Sequence, residues 1–281
     1  MATKKAASTS KKSTAKKAAA KKQTSTKVTT VKAVESRPVA AAEATQNKTF
    51  KLNIGRRPLI AALIAEFIGT FIFAAAVVAG QGQPILVFFA LAGVVLTIGL
   101  LSGAYVNPAL TIAAWVTRRI GAWRAVGYIV AQVLGAMLAF VVLNAYMSNT
   151  AASPEQLYSA GAELFKAATL PEGKQWLVLM SEVLGTAIFG FAVAAATREI
   201  KERTAAAFTV GLGLYLGLMI AGSAAALISA SAILNPAVAV ALQVNFGNAW
   251  SWAVYALGSI LGAVIGFALY DLLRSNSKET A

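Results

Sequence analysis

The residues best placed to do chemistry in this chain are two asparagines, each followed by the same dipeptide: Asn107-Pro108-Ala109 and Asn235-Pro236-Ala237. A carboxamide carries donors and an acceptor without charge, so it can cap a helix and still bind a passing oxygen. As an N-cap, its oxygen accepts from an orphan N–H of the first turn. Proline is favoured at the first helical position, where its missing N–H costs nothing. Each motif follows a run of small residues, Ser102-Gly103-Ala104-Tyr105-Val106 and Ser229-Ala230-Ser231-Ala232-Ile233-Leu234. A helix that starts inside apolar sequence leaves polar backbone at membrane depth. Such backbone is tolerated only when buried in protein or lining a watery cavity. Two starts in matching positions therefore point to a pore or binding site where two halves meet.

Composition narrows the classes of function. Of 281 residues, 58% are hydrophobic and only 13% charged, which excludes an ordinary soluble domain and indicates a helical membrane protein. The chain has no Cys, hence no disulfide or thiolate ligand, and no His, the commonest metal ligand and general base. No cofactor is implied and catalysis is a poor reading. The net charge is +14, of which residues 1–49 hold eleven Lys, Arg37 and two acids, 12 − 2 = +10. That tail is Lys, Ala, Thr and Ser, resembles the lysine-alanine tails of histone H1-like proteins in composition, and is expected to be disordered. Attraction to anionic lipid is the expected partner chemistry, with nucleic acid or a targeting role as alternatives.

Six spans long enough to cross a bilayer are predicted at roughly 58–79, 84–101, 124–147, 176–196, 204–227 and 250–273. The stretches 107–118 and 235–244 are too short to cross and are predicted to be half-helices. Arg56 and Arg57, then Arg118, Arg119 and Arg124, then Arg198, Lys201 and Arg203, then Arg274 and Lys278 all fall at alternate span ends. The positive-inside rule puts those ends, and both termini, in the cytoplasm. The expected divisions are a tail at 1–49, a channel domain at 50–273 and a short C-terminal tail at 274–281, in an integral protein of the cell membrane.

The halves repeat. Ala65-Glu66-Phe67-Ile68-Gly69-Thr70 matches Ser181-Glu182-Val183-Leu184-Gly185-Thr186, and Tyr128 to Gly135-Ala136 matches Tyr255 to Gly262-Ala263. With three spans per half, the second half enters from the opposite side, so the repeat is inverted. Glu66 and Glu182 are ionisable groups within spans, rare and usually functional. Each is expected to accept hydrogen bonds from the non-helical backbone leading into a half-helix, a proton relay being the alternative. Gln132 is given a similar supporting part. Glycines at 69, 99, 135, 185, 217, 222, 258 and 262 are expected to allow close helix packing.

On these residues the chain resembles the aquaporin, or major intrinsic protein, family over about residues 58–273. The resemblance rests on the doubled Asn-Pro-Ala, the Glu early in spans one and four, Ser102-Gly103-Ala104, and Tyr128-Ile129-Val130-Ala131-Gln132. It implies an all-α membrane fold of six tilted helices around one pore, two half-helices meeting at its centre, and a homotetramer. It also implies passive passage of water and small neutral solutes.

The same resemblance places a selectivity filter at Val87, Ser223, Ala232 and Val238. Here the chain departs from the family pattern. Val238 stands where most members carry Arg, Ser223 where water-selective members have His, and Tyr105 replaces a common His before the first motif. No Asp follows the second motif, as it usually does in the glycerol-conducting branch. The filter is accordingly expected to lack Arg, to be apolar and to be wide enough for glycerol-like solutes. A secondary transporter, or a membrane anchor whose basic tail does the work, are the alternative functions.

Overall fold

The computed structural model describes residues 57–149, 153, 155 and 164–279. The basic tail, and what is expected of it, lies outside them. Among the described residues there are helices and no strand. In chain order these are α1 (Arg57–Ala79), α2 (Pro84–Ser102), α3 (Pro108–Val116), α4 (Ala122–Ser148), α5 (Gln175–Glu199), α6 (Arg203–Ala226), α7 (Pro236–Ala241), α8 (Ala249–Trp252) and α9 (Ser259–Glu279). A π-helical turn over Ala253–Gly258 joins α8 to α9, making one continuous span.

Among the described residues, six spans are long and apolar enough to cross a membrane: Pro58–Ala79, Pro84–Ser102, Ala122–Ser148, Gln175–Arg198, Arg203–Ala226 and Ala249–Ser275. Each end lies within two residues of the predicted one (27 residues at most, 19 at least). Even the shortest is about 28 Å long at 1.5 Å per residue, enough for the hydrocarbon core. The last helix continues to Glu279, past the expected boundary at 273. Turn chemistry sets several ends. Pro84 opens α2, and Gly103 closes it in the left-handed conformation at φ 97. Glu202 caps α6 by accepting from the N–H groups of Ala205 and Thr204. Those bonds hold its carboxyl below the ordinary value.

α1 packs on α4 and α5 on α9, two equivalent pairs related by the repeat. Both depend on a glycine: a Cβ on Gly135 would run into the carbonyl oxygen of Phe67, and one on Gly262 into that of Val183. This is the close backbone approach that small residues permit between membrane helices. Gly222 does not share that role, since nothing lies within 4 Å of a Cβ placed there, and Gly99 meets only an ordinary contact with Val95 at 3.7 Å. The half-helices exchange partners across the repeat: α3 packs on α9, and α7 on α4. The outer surface carries apolar stripes such as Ile60, Ile64, Ile68 and Ile72 on α1, between 44% and 54% exposed. In water such a stripe would be costly; in lipid or against another copy it is not.

Candidate functional site

Asn107 and Asn235 adopt extended backbone at the starts of α3 and α7, with Pro108 and Pro236 as the first helical residues. The Asn107 side-chain oxygen accepts from Ala109 N at 2.8 Å, and that of Asn235 from Ala237 N at 3.0 Å. Each side-chain amide then donates into the other half: Asn107 Nδ2 to Leu234 O and Asn235 Nδ2 to Val106 O, both at 2.9 Å. This reciprocal pair locks the two motifs end to end. An amide nitrogen carries two hydrogens, so each asparagine keeps one to offer elsewhere. Both face the same cavity.

The acceptors just named come from strained residues. Val106 has φ 40 and Leu234 φ 60, left-handed conformations that a β-branched side chain in particular resists. The two glutamates hold them there. Glu66 Oε1 accepts from Tyr105 N at 3.0 Å, and Oε2 from Val106 N and Gln132 Nε2, both at 2.7 Å. Glu182 accepts from Ile233 N at 2.5 Å, Leu234 N at 3.0 Å and Ser259 Oγ at 2.7 Å. Gln132 Nε2 also reaches Thr111 Oγ1 at 2.9 Å, fastening α3 to α4. Both carboxylates are fully buried and outside the lining of the cavity. An acceptor-only group surrounded by donors needs no cation. The polar tyrosines repeat the pattern: Tyr128 Oη donates to Ser102 O at 2.8 Å and Tyr255 Oη to Ser231 O at 3.2 Å.

The cavity between the motifs has a volume of about 50 Å³. At roughly 10–15 Å³ per water by this measure, it has room for about four. Its walls include Val87, Ala232 and Val238, three of the four expected filter residues. Ser223 is not among them; it is exposed, near the end of α6. Leu214 and Leu218 supply the α6 wall instead. The reason is helical phase. Five residues beyond Leu218 at 100° each rotates a side chain by roughly 140°, off the face that looks inward. The chain between the inward face of α6 and Asn235 is thus 235 − 218 = 17 residues long, five more than a count ending at Ser223 supposes.

Nothing in the sequence singles out Phe165, yet it lines the same cavity. Its ring lies where a Cβ on Gly82 would stand, 2.5 Å from that position. Gly82 sits at φ 63 in the α1–α2 turn. The following strand of loop is pinned by Ala167 N to Leu242 O and Ala168 N to Ser231 Oγ, both at 3.0 Å. No local signal marks a loop phenylalanine for this position. Phe88, next to Val87 in the sequence, turns away against Phe208 and Tyr215, with centroids 5.6 and 6.4 Å apart. At the other, basic end, Arg119 Nη2 meets Asp271 Oδ1 at 2.8 Å and Nη1 meets Thr197 Oγ1 at 2.7 Å, with Phe267 under the guanidinium at 4.6 Å. That clamp ties the exit of α3 to α5 and α9.

Six spans, crossed half-helices and two asparagines over one narrow cavity define a membrane channel rather than an enzyme. The family model described as "Major intrinsic protein" matches residues 53–270. The chain is 32% identical to aquaporin NIP1-1 of Zea mays over 238 residues, covering 79% of this chain and 77% of that one. It is 31% identical to aquaporin AqpM of Methanothermobacter marburgensis over 66% of this chain and 74% of the other. In structure it is similar to the aquaglyceroporin of Plasmodium falciparum, with TM-score 0.61 and 19% identity over 79% of this chain and all of that one. The chain belongs to the major intrinsic protein family and is an integral membrane channel for water or small solutes.

Proposed function

We propose that the channel passes water and small uncharged solutes of the glycerol kind through an apolar mouth that has no arginine. The observation that carries this reading is the lining of the cavity: among the described residues it contains no charged side chain, and its only polar side chains are Asn107, Asn235 and Tyr105. Val87, Leu218, Ala232 and Val238 act as the filter, with Phe165 reducing its width. An apolar wall presents carbon to the CH groups of a polyol, while the asparagine N–H groups receive its hydroxyls one at a time. A cation finds no charged side chain to replace its water in the mouth, and stripping that water is costly. At the centre, the N-terminal ends of α3 and α7 add positive potential. A water held there by the asparagines turns its oxygen to both, which interrupts a proton wire. Neither Glu66 nor Glu182 is left to bind a coupling ion, so the secondary-transporter alternative has no such site among the pore residues.

The basic end belongs in the cytoplasm, with both termini, in the cell membrane. The apolar stripes are suited to a homotetramer, and residues 1–49 to an anionic lipid surface, nucleic acid being the less favoured partner. The test is stopped-flow light scattering of proteoliposomes, with osmotic shrinkage for water and swelling for glycerol. Both rates should exceed those of protein-free vesicles. Val238→Arg should slow glycerol more than water. Water flux in the parent with no glycerol flux would remove the polyol reading and leave a water channel.

A further inference from the structure

The motif cavity and a larger vestibule of about 370 Å³ toward the basic end share three lining residues: Leu91, Tyr105 and Phe189. These three form the boundary between a space of about 50 Å³ and one several times larger. We infer that they are a second selectivity point, a waist in which the Tyr105 hydroxyl passes water between the two spaces while Leu91 and Phe189 exclude bulkier solutes. The inference rests on the conduction reading above and adds a specificity-determining residue to it.

Tyr105 is fixed in this place rather than hinged. Its backbone N–H is held by Glu66 at 3.0 Å, and the next one, on Val106, at 2.7 Å. Its ring packs against that of Tyr128, with centroids 6.2 Å apart. Its edge lies 3.3 Å from the position of a Cβ on Gly103, which at φ 97 has none. The ring cannot turn away from the passage without displacing Tyr128 or the Gly103 turn. Only 8% of the residue is exposed. Its hydroxyl makes no hydrogen bond to another described residue, whereas those of Tyr128 and Tyr255 are each used on a carbonyl. A phenol can both donate and accept, so a water crossing the waist exchanges one partner for another. Leu91 and Phe189 offer none. Without the hydroxyl every side chain of the waist is apolar, and apolar constrictions stop flow by losing their water.

The test compares the full-length parent, Tyr105→Phe, Leu91→Ala and Tyr105→Ala in proteoliposomes. Rates are normalised to the amount of protein inserted and read for water, glycerol and a larger polyol such as xylitol. Tyr105→Phe keeps the ring and should lower water permeability about tenfold, the rate equivalent of roughly one lost hydrogen bond. Leu91→Ala and Tyr105→Ala should instead raise the flux of the larger polyol relative to water. Should Tyr105→Phe fail to insert, the Leu91→Ala size cut-off decides alone. A Tyr105→Phe channel with parental water flux, or a Leu91→Ala channel with a parental cut-off, overturns the waist. A parent that conducts no water at all instead overturns the conduction reading, so the two failures are separable.

Discussion

Replacing Glu66 by Gln removes one acceptor from a site in which every neighbour is a donor. The carboxylate is fully buried and receives Tyr105 N at 3.0 Å, Val106 N at 2.7 Å and Gln132 Nε2 at 2.7 Å. A carboxamide has one oxygen, so its NH2 must face Tyr105 N or Val106 N. Gln132 can turn its own amide over; a backbone N–H cannot. One buried N–H is therefore left without an acceptor, at about 1–3 kcal/mol, and the remaining bonds lose their charge assistance. The strain at Val106, φ 40, is then held less firmly. The net loss should be about 2–4 kcal/mol, or roughly 5–15 °C in Tm at about 2–4 °C per kcal/mol. Glu182→Gln should cost about half as much, by the same accounting. Ser259 can donate to Tyr255 O, at 3.2 Å, and accept from the new amide, while Leu234 N has a second oxygen at 3.3 Å. Thermal unfolding of the two variants in one detergent, beside proteoliposome water flux, reads the difference. Equal stability of both variants and the parent, or a larger loss from Glu182→Gln, would refute this account of the carboxylates.

Two further substitutions test the walls of the cavity. Leu218→His should narrow the mouth and reduce glycerol swelling several-fold, while Ser223→His should leave it unchanged because Ser223 points off the inward face; the reverse pattern in the swelling assay would restore the count from the motif. Phe165→Ala should increase glycerol flux and admit a longer polyol, with little effect on Tm because Ala167 and Ala168 still pin the loop; an unchanged size cut-off would show that Phe165 does not narrow the passage.

What was readable in the sequence was readable for local reasons. Asn and Pro at a helix start carry their own geometry, so both half-helices were visible without tertiary information, although α7 ends at Ala241 rather than 244. The spans are visible because a bilayer fixes their length, and the backbone hydrogen bonds of Glu66 and Glu182 because a buried carboxyl needs donors and the adjacent non-helical backbone has them. A count from the motif places the α6 wall at Ser223 rather than Leu218 because it assumes the length of the connecting segment, and that segment adds turns without any composition signal. Gly222 shows the same limit: its type suits close packing, but only the neighbouring helix decides whether there is contact. Phe165 lies in a loop far from either motif in sequence, where nothing local distinguishes it from other loop apolar residues. The π turn at Ala253–Gly258, which carries Tyr255, likewise has no sequence mark.

We propose that neutral molecules pass where ions do not, because two asparagines and two helix ends meet in one narrow passage. Water and cation flux measured together on the same proteoliposomes test it directly, using osmotic shrinkage and a potassium or proton gradient with a fluorescent reporter. The parent should shrink rapidly and leak no more cation than empty vesicles, and Asn235→Asp should leak measurably by placing a negative charge at the centre. Cation leak through the parent, or an Asn235→Asp channel as tight as the parent, would contradict it.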